Sequence, residues 1–206
     1  MKNYLCSALI LLAMVSCDNK KEAVKTSYKT PDMKLASDVM TPEVLWSFGR
    51  IGSVSVSPDQ KTLLYDVTYF NKEEDRSYSD IYVMNLADGK SQQLTDTDYK
   101  EFGETWTSDG KIAFMSSKSG SVQLWEMNAD GSGLTQLTNV EGGIGGFIFS
   151  PDKSKLLFLK DVKLEQDVHD LHPDLPKANA RLIDGQVYRH WNDWVEAYTH
   201  PFVADY

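Results

Sequence analysis

The feature that most constrains the fold is a repeat with a period of 43 residues. Four pairs of identical residues share this spacing: Asn85 and Asn128, Thr95 and Thr138, Gly103 and Gly146, and Asp109 and Asp152. An earlier copy of the same pattern contains Asp59, which precedes Asp109 by 50 residues because the stretch NKEEDRSY lengthens one hairpin. A period of this size is typical of proteins that repeat one supersecondary unit.

Inside each unit, apolar and polar residues alternate in short runs that are separated by turn signals. The runs SVSVS and TLLYDVTYF flank Pro58-Asp59-Gln60, DIYVMNL and KSQQLT flank Asp88-Gly89, and KIAFMSS and SVQLWEMN flank Lys118-Ser119-Gly120. These patterns predict short antiparallel strands joined by tight turns. Four strands in roughly 40 to 45 residues are typical of a propeller blade. The sequence therefore predicts an all-β fold, an incomplete β-propeller of about three to four blades of four antiparallel strands.

The aspartate that recurs in these units is predicted to be a turn residue. Asp59, Asp109 and Asp152 occupy the same place between two strands. A short carboxylate at a turn can accept hydrogen bonds from nearby backbone N–H groups. We therefore expect a structural and not a catalytic role for all three.

The first sixteen residues have the pattern of an export signal. Lys2 is followed by an uncharged apolar run from Tyr4 to Val15, which is too short to span a membrane as a helix. The run leads into MVSC, and a small residue before a cysteine is typical of bacterial lipoprotein signals. An ordinary cleaved signal with an incidental cysteine is the alternative. On the first interpretation, Cys17 becomes a lipidated N-terminus, and the protein is exported to the periplasm or cell surface and anchored to the membrane.

Composition limits the partners of the remaining chain. Residues 17–40 are polar and lack a sustained apolar period, so they are predicted to form a flexible tether ahead of a propeller part at 41–206. Only Cys6 and Cys17 are present, so no internal disulfide is expected to hold the folded part together. The net charge of −9 disfavours nucleic acid and anionic lipid headgroups as partners, so membrane contact is expected through the lipid anchor only.

One short helix is predicted before the first strand. Thr41 is a suitable N-cap, and Gly49 is a suitable stop, for a helix of about two turns. The residues expected to share its buried face are Val44, Leu45 and Phe48. Trp46 is expected to pack and not to carry chemistry.

The sequences of the repeats resemble those of known propeller proteins. The succession SPDxK, IYVMN and QLT resembles the repeats of TolB and of the prolyl oligopeptidase family of serine peptidases. Residues 40–86 and 174–205, the latter with the motif YRHWNDW, resemble the dipeptidyl-peptidase and acylaminoacyl-peptidase branch of that family. In that family an N-terminal propeller caps a C-terminal α/β-hydrolase domain that carries the catalytic Ser, Asp and His. The resemblance thus implies a propeller that gates the access of short peptides to a hydrolase.

The chain lacks the catalytic signature of this family. No G-x-S-x-G nucleophile motif occurs in its 206 residues. The stretch GGIGGF at 142–147 has no serine and no Gly-Lys-Ser/Thr ending, and we expect it to mark a close backbone approach. The sequence therefore predicts an N-terminal fragment of a longer peptidase that is inactive alone.

Two groups of side chains are candidates for a site. The resemblance implies that a cluster of aromatic and polar residues faces the hydrolase, with packing between blades as the alternative: Tyr188, Arg189, His190, Trp191, Asp193 and Trp194. His169 and His172 have a spacing that could serve a metal, but Pro173 and Pro176 predict a loop and no third ligand is identifiable. No metal or cofactor is therefore expected.

Two functions follow as hypotheses. The first is an exported, lipid-anchored serine exopeptidase, represented by its gating propeller, whose partners are short peptides. The second is a non-enzymatic TolB-like propeller lipoprotein that binds a cell-envelope protein. The segment RLIDGQVYRHWNDW favours the first. Peptide specificity and oligomeric state are left open by the sequence.

Overall fold

The computed structural model describes residues 38–163, 165–181 and 197–206. These residues form three antiparallel sheets, with strand orders β1-β2-β3-β4, β5-β6-β7-β8 and β11-β10-β9. The first sheet consists of β1 (Arg50–Val56), β2 (Thr62–Asn71), β3 (Arg76–Asn85) and β4 (Ser91–Gln93). The second consists of β5 (Glu101–Trp106), β6 (Ile112–Ser116), β7 (Gln123–Met127) and β8 (Thr135–Gln136). The third consists of β9 (Gly146–Phe149), β10 (Lys155–Lys163) and β11 (Ala197–Asp205).

This arrangement confirms the predicted propeller fold. Each sheet is a meander of neighbouring antiparallel strands, which is the structure of a propeller blade. The third sheet has three strands among the described residues, and β11 begins well after the end of β10 at Lys163. The repeat is therefore regular up to β10 and is interrupted by a longer segment before β11.

The repeated turn recurs in all three sheets. Ser57, Thr107 and Ser150 each donate a side-chain hydroxyl hydrogen bond of 2.6 Å to the aspartate two residues later. Asp59 and Asp152 also accept a backbone N–H bond of 3.1 Å, as predicted. Asp109 instead accepts a bond from the Lys153 side chain of the next sheet.

The predicted N-terminal helix is present as α1 (Pro42–Ser47). Its N-cap is Thr41, whose Oγ1 accepts a hydrogen bond from the backbone N–H of Val44 at 3.4 Å. The predicted buried face was wrong, since Val44 is half-buried and Leu45 and Phe48 are exposed. The helix contacts β2 instead through Trp46, whose ring meets the edge of Phe70 at 5.5 Å.

A second helix, α2 (Val168–Leu171), lies where a loop was predicted. Asp167 caps it by accepting N–H bonds from His169 and Asp170, and the Asp170 side chain bonds back to the Asp167 N–H. This reciprocal capping stabilises one helical turn before the prolines that suggested a loop. No helix among the described residues is long and apolar enough to cross a membrane.

The second sheet is the centre of the core because both of its faces are covered. Every residue of β6 is buried, and successive side chains point to opposite faces. The first joint, between the first and second sheets, contains Leu64, Ile81, Val83, Ile112, Phe114 and Met127. The second joint, between the second and third sheets, contains Ala113, Met115, Leu124, Ile144 and Leu156. Burial of these side chains contributes about 1.5 to 3 kcal/mol for each large one.

Candidate functional site at the inner strands

The residues predicted to carry function from motifs lie outside the described residues. Cys17 and the predicted interface cluster Tyr188, Arg189, His190, Trp191, Asp193 and Trp194 are all among them. Their roles stay predictions. The described part of the candidate site lies at the first strands of the three sheets, β1, β5 and β9, which we call the inner strands and which each pair on one side only.

The irregular stretch of β1 brings an aspartate against the backbone. The register of β1 and β2 shifts between Ile51 and Val54, and Gly52 lies in that shift. A Cβ atom on Gly52 would lie 2.3 Å from Asp66 Oδ1, so only glycine allows this approach. Asp66 Oδ1 accepts a hydrogen bond of 2.8 Å from the Ser53 backbone N–H.

A second carboxyl group from the neighbouring sheet reaches the same serine. Ser53 Oγ lies 2.6 Å from Glu104 Oε1 and 3.2 Å from Asp66 Oδ1. A hydroxyl has one proton, so Ser53 can donate to only one of the two carboxyls at a time. Glu104 is 4 % exposed, and its Oε2 has no hydrogen-bond partner among the described residues. Burial is the main cause that raises the pKa of Glu104 to about 7, with a smaller contribution from the nearby Asp66 and an opposing one from the Ser53 hydrogen bond.

A second buried glutamate, Glu101, lies at the start of the same strand, β5. Glu101 is 2 % exposed, and its Oε1 accepts a bond of 3.2 Å from Thr97 Oγ1, while its Oε2 is unpartnered among the described residues. Burial raises the pKa of Glu101 to about 7 and that of Asp80 to about 6. The first joint therefore contains three buried acids from two sheets, Asp66, Glu101 and Glu104, and the half-buried Asp80 is close enough to Glu101 to add to the rise of its pKa.

This acidic group can hold protons near neutral pH, but it lacks the parts of a hydrolytic site. No nucleophile with an adjacent histidine lies beside it in the described part of the chain. The same described residues contain no cluster of three or more His, Cys, Asp or Glu side chains that could hold a metal ion. Sequence reasoning missed these acids, although Asp66 interrupts the apolar run TLLYDVTYF and Glu101 and Glu104 lie in EFGETW.

An open crevice separates the inner strands of the second and third sheets. Its volume is about 370 Å³, which is within the range of small-ligand sites. The lining combines aromatic rings with hydroxyl groups and includes Trp106, Thr107, Phe147, Phe149 and Ser150. Trp106 packs against the first joint and Phe149 against the second.

A lysine closes the second joint at the turn end of the sheets. Lys153 Nζ lies 2.7 Å from Asp109 Oδ1 and 2.6 Å from Glu126 Oε2. Burial would raise the pKa of Glu126, but hydrogen bonds from Lys111 and Lys153 outweigh it and lower the pKa. The ammonium group also lies 5.2 Å from the centre of the Tyr206 ring. Lys153 is thus held by two carboxylates and an aromatic face.

The glycine-rich stretch and the two histidines that the sequence offered as candidates lie at a turn and at a short helix. In the GGIGGF stretch, Gly143 has φ +88°, and a Cβ there would lie 2.8 Å from the Val122 carbonyl oxygen, so the expected close backbone approach is present. His169 lies in α2, with Nδ1 3.9 Å from Asp167. His172 is the C-cap residue of the same helix.

Comparison with known proteins finds relatives that are named dipeptidyl peptidases. No family model matches it. It is 44% identical over 167 residues to Dipeptidyl-peptidase 5 of Porphyromonas gingivalis, covering 81% of this chain and 24% of that protein. It is 34% identical over 198 residues to Dipeptidyl-peptidase 5 of Porphyromonas endodontalis, covering 95% of this chain and 29% of that protein. The chain thus spans less than a third of the length of these relatives.

A solved structure agrees with the fold. The acylaminoacyl peptidase of Pyrococcus horikoshii matches with a TM-score of 0.58 and 17% identity, over 78% of this chain and 24% of that chain. At this identity the likeness supports the fold alone, and the sequence relatives supply the family. The blade-like sheets, their repeated turns and these relatives agree with one another. The chain therefore belongs, as a β-propeller part, to the prolyl oligopeptidase family of serine peptidases.

Proposed function

We propose that this chain is the propeller side of an exported serine exopeptidase, in which it limits the entry of peptides to an α/β-hydrolase domain. The observation that carries the proposal is the 44% identity with a dipeptidyl peptidase across most of the chain. The crevice between β5 and β9 supplies an uncharged surface of aromatic and hydroxyl side chains along which short peptides would pass. The catalytic serine, histidine and aspartate would belong to the hydrolase, since the G-x-S-x-G motif does not occur in this sequence.

A chimera tests the gating role. Residues 40–206 would replace the aligned residues of the Porphyromonas gingivalis Dipeptidyl-peptidase 5, and the product would be assayed with chromogenic dipeptide substrates and with a folded protein substrate. We expect release of dipeptides and no cleavage of the folded protein. A fluorophosphonate probe reports independently whether the hydrolase is assembled. Labelling of the chimera without dipeptide turnover would contradict the proposal.

The predicted interface can be tested in the same chimera. We propose that Arg189 and Trp191 face the hydrolase, as the resemblance implies. Arg189→Ala and Trp191→Ala should lower kcat/KM for dipeptides without abolishing fluorophosphonate labelling. Lys177→Ala, an exposed position in the preceding segment, is the matched control. If Lys177→Ala and Arg189→Ala lowered kcat/KM equally, the proposal that the cluster faces the hydrolase would be contradicted.

We also propose that Cys17 carries the membrane anchor. The uncharged apolar run before MVSC supports this. Radiolabelled palmitate should enter the protein in a bacterial host, and Cys17→Ser should abolish incorporation and release the protein to the soluble fraction. Cys6→Ser is the control and should leave both unchanged. Membrane retention of the Cys17→Ser variant would count against the anchor.

A further inference from the structure

Two hydrogen bonds connect the inner strand of the first sheet, β1, to the inner strand of the second, β5. In the first, the side chain of Glu104 meets Ser53, with 2.6 Å between Glu104 Oε1 and Ser53 Oγ. In the second, two residues farther along each strand, the indole Nε1–H of Trp106 donates a bond of 3.4 Å to the Ser55 carbonyl oxygen. Both bonds cross from one sheet to the other, so both depend on the two inner strands lying together.

The two carboxyl groups around Ser53 need one proton to complete their hydrogen bonds. Asp66 Oδ1 accepts the Ser53 backbone N–H at 2.8 Å and lies 3.2 Å from Ser53 Oγ. When Glu104 carries a proton and Asp66 is charged, Glu104 Oε1 donates to Ser53 Oγ, and Ser53 Oγ donates to Asp66 Oδ1. When both carboxyls are charged, the single hydroxyl proton serves only one of them. A proton on Glu104 therefore completes a continuous chain of hydrogen bonds from β5 through β1 to β2.

Burial makes the doubly charged form of this pair unfavourable. Glu104 is 4 % exposed and Asp66 is 6 % exposed. Glu104 Oε2 has no hydrogen-bond partner among the described residues. A buried carboxylate without a full set of partners is much less stable than a neutral carboxyl group, and a second negative charge beside it adds repulsion. The closed arrangement of the two strands therefore favours the form in which the pair holds one proton.

The charged groups on the elements packed against β5, which are β1, β2, β3 and β6, do not neutralise this pair. On β1, the Arg50 guanidinium lies over two aromatic rings, 4.4 and 5.2 Å from their centres, and forms no salt bridge in the described part of the chain. The titratable groups nearest the pair on β2, β3 and β5 are the acids Asp66, Asp80 and Glu101. The residues of β6 include no titratable side chain, and Lys118 beyond it acts on Glu101.

We infer that a proton held on Glu104 fastens β1 to the second sheet, and that the two inner strands separate locally when this proton is lost. Loss of the proton leaves two carboxylates at one serine hydroxyl, and movement of β1 away from β5 lets water reach the Glu104 carboxylate. The bond from Trp106 to Ser55 breaks in the same opening, because it joins the same two strands. This pH-sensitive contact goes beyond the proposed function and does not depend on it.

The direction of the response follows from the pKa of Glu104 in the closed and opened states. In the closed state, burial is the main cause that raises this pKa to about 7 from an ordinary 4.5. In the opened state the carboxyl group is in water and returns to its ordinary pKa, so the closed state binds the proton more tightly. The stabilisation of the closed state is therefore complete below about pH 4.5 and is lost as the pH rises to about 7.

Hydrogen exchange of the Trp106 indole N–H in the full chain, followed by NMR, tests the inference. Its signal is the one that disappears in Trp106→Phe. The protection factor, which is corrected for the intrinsic pH dependence of exchange, should fall by up to about tenfold for each pH unit between about 4.5 and 7 and then level off. Glu104→Gln should abolish this dependence, because its amide donates to Ser53 Oγ at every pH. A constant protection factor in the parent, or an unchanged pH dependence in Glu104→Gln, would overturn the inference.

Two further variants test whether the response belongs to this pair. Glu101→Gln neutralises the other buried glutamate of β5, which bonds to Thr97, and it should leave the pH dependence of the Trp106 signal in place. Asp66→Asn removes the neighbouring charge while its amide oxygen can still accept the Ser53 N–H, so the protection factor should level off at a lower pH than in the parent. Loss of the response in Glu101→Gln, or an unchanged profile in Asp66→Asn, would overturn the sharing of the proton.

Low concentrations of urea separate local opening from unfolding of the whole protein. The reference is the Leu137 backbone N–H, which donates a bond of 2.8 Å to the Leu124 carbonyl oxygen within the second sheet. Local opening exposes little surface, so the protection factor of the Trp106 indole should change little with urea, while that of Leu137 should fall steeply. An equal urea dependence of the two would show that the strands separate only when the protein unfolds, and would overturn the inference.

Discussion

The two joints of this molecule share one apolar design and have opposite electrostatics. Each is formed by apolar side chains from two neighbouring sheets. The first joint holds the acids Asp66, Glu101 and Glu104, which form no salt bridge among the described residues. The second joint holds Lys153 between Asp109 and Glu126. The repeat therefore determines where the sheets pack, while a few polar positions determine how each joint responds to pH.

The largest effect is expected from the apolar part of the first joint. Phe114→Ala should lower the free energy of unfolding by about 3 to 5 kcal/mol, because a buried ring is replaced by a cavity. Urea denaturation followed by tryptophan fluorescence would measure it. Met115→Ala, the next residue on β6, faces the second joint and is the matched comparison. An effect of Phe114→Ala no larger than that of the exposed Leu86→Ala would show that the first joint is not a packed core.

The stability of the second joint should depend on Lys153. Lys153→Met removes the cation that Asp109 and the buried Glu126 share, and should cost about 2 kcal/mol because a buried carboxylate loses a partner. Lys111→Met is the matched control. Lys111 also contacts Glu126, at 2.7 Å, but its side chain is 43% exposed, so the loss should be below about 1 kcal/mol. Equal losses of unfolding free energy in the two variants would show that Lys153 stabilises the joint no more than Lys111 does.

The joints should respond to pH in opposite directions. In the first joint, burial raises the pKa of Glu101 and Glu104 to about 7 from an ordinary 4.5, so the folded state keeps protons that the unfolded chain has released. Stability contributed by these groups therefore falls as pH rises from about 4.5 to 7. In the second joint, the hydrogen bond from Lys153 lowers the pKa of Asp109 to about 2, so stability is lost as pH falls from about 4 to 2.

Glu104→Gln separates the two responses. This variant should show a flatter stability profile between about pH 4.5 and 7, and at pH 8 it should exceed the parent by on the order of 1 kcal/mol. Urea midpoints measured across the pH range would test this. Glu73→Gln, in the exposed β2–β3 hairpin, should follow the parent profile. A parallel profile for Glu104→Gln would mean that Glu104 does not titrate in this window.

The fold was predictable because its signals are local and repeated. The 43-residue spacing, the turn aspartates and the alternating runs each occur within a few residues, and the structure confirms them. The acidic group was not predictable in this way. Asp66 and Glu104 are distant in sequence and meet only because two sheets pack and Gly52 leaves room for a carboxylate. The prediction of the buried face of α1 was wrong because the helical pattern of the sequence does not specify which sheet lies beside the helix.

The smallest effect is expected at the turn position that the three sheets share. Gln60, Gly110 and Lys153 all have positive φ values, of 60°, 79° and 58°, and only the second sheet uses glycine there. Gln60 is exposed, and its side chain has no hydrogen bond or ion pair in the described part of the chain. Glycine would relieve the left-handed backbone conformation but would also increase the entropy of the unfolded chain. These terms nearly cancel, so Gln60→Gly should change stability by less than about 0.5 kcal/mol.

Lys153→Gly makes the same backbone change in the third sheet while removing the cation. It should therefore lose about as much stability as Lys153→Met, roughly 2 kcal/mol, because the backbone terms nearly cancel there as well. Urea denaturation of the four proteins, the parent and the three variants, gives the comparison directly. If Lys153→Gly were as neutral as Gln60→Gly, the lysine would occupy its strained position without stabilising the second joint. The electrostatic difference between the joints would then make no measurable contribution to the free energy of unfolding.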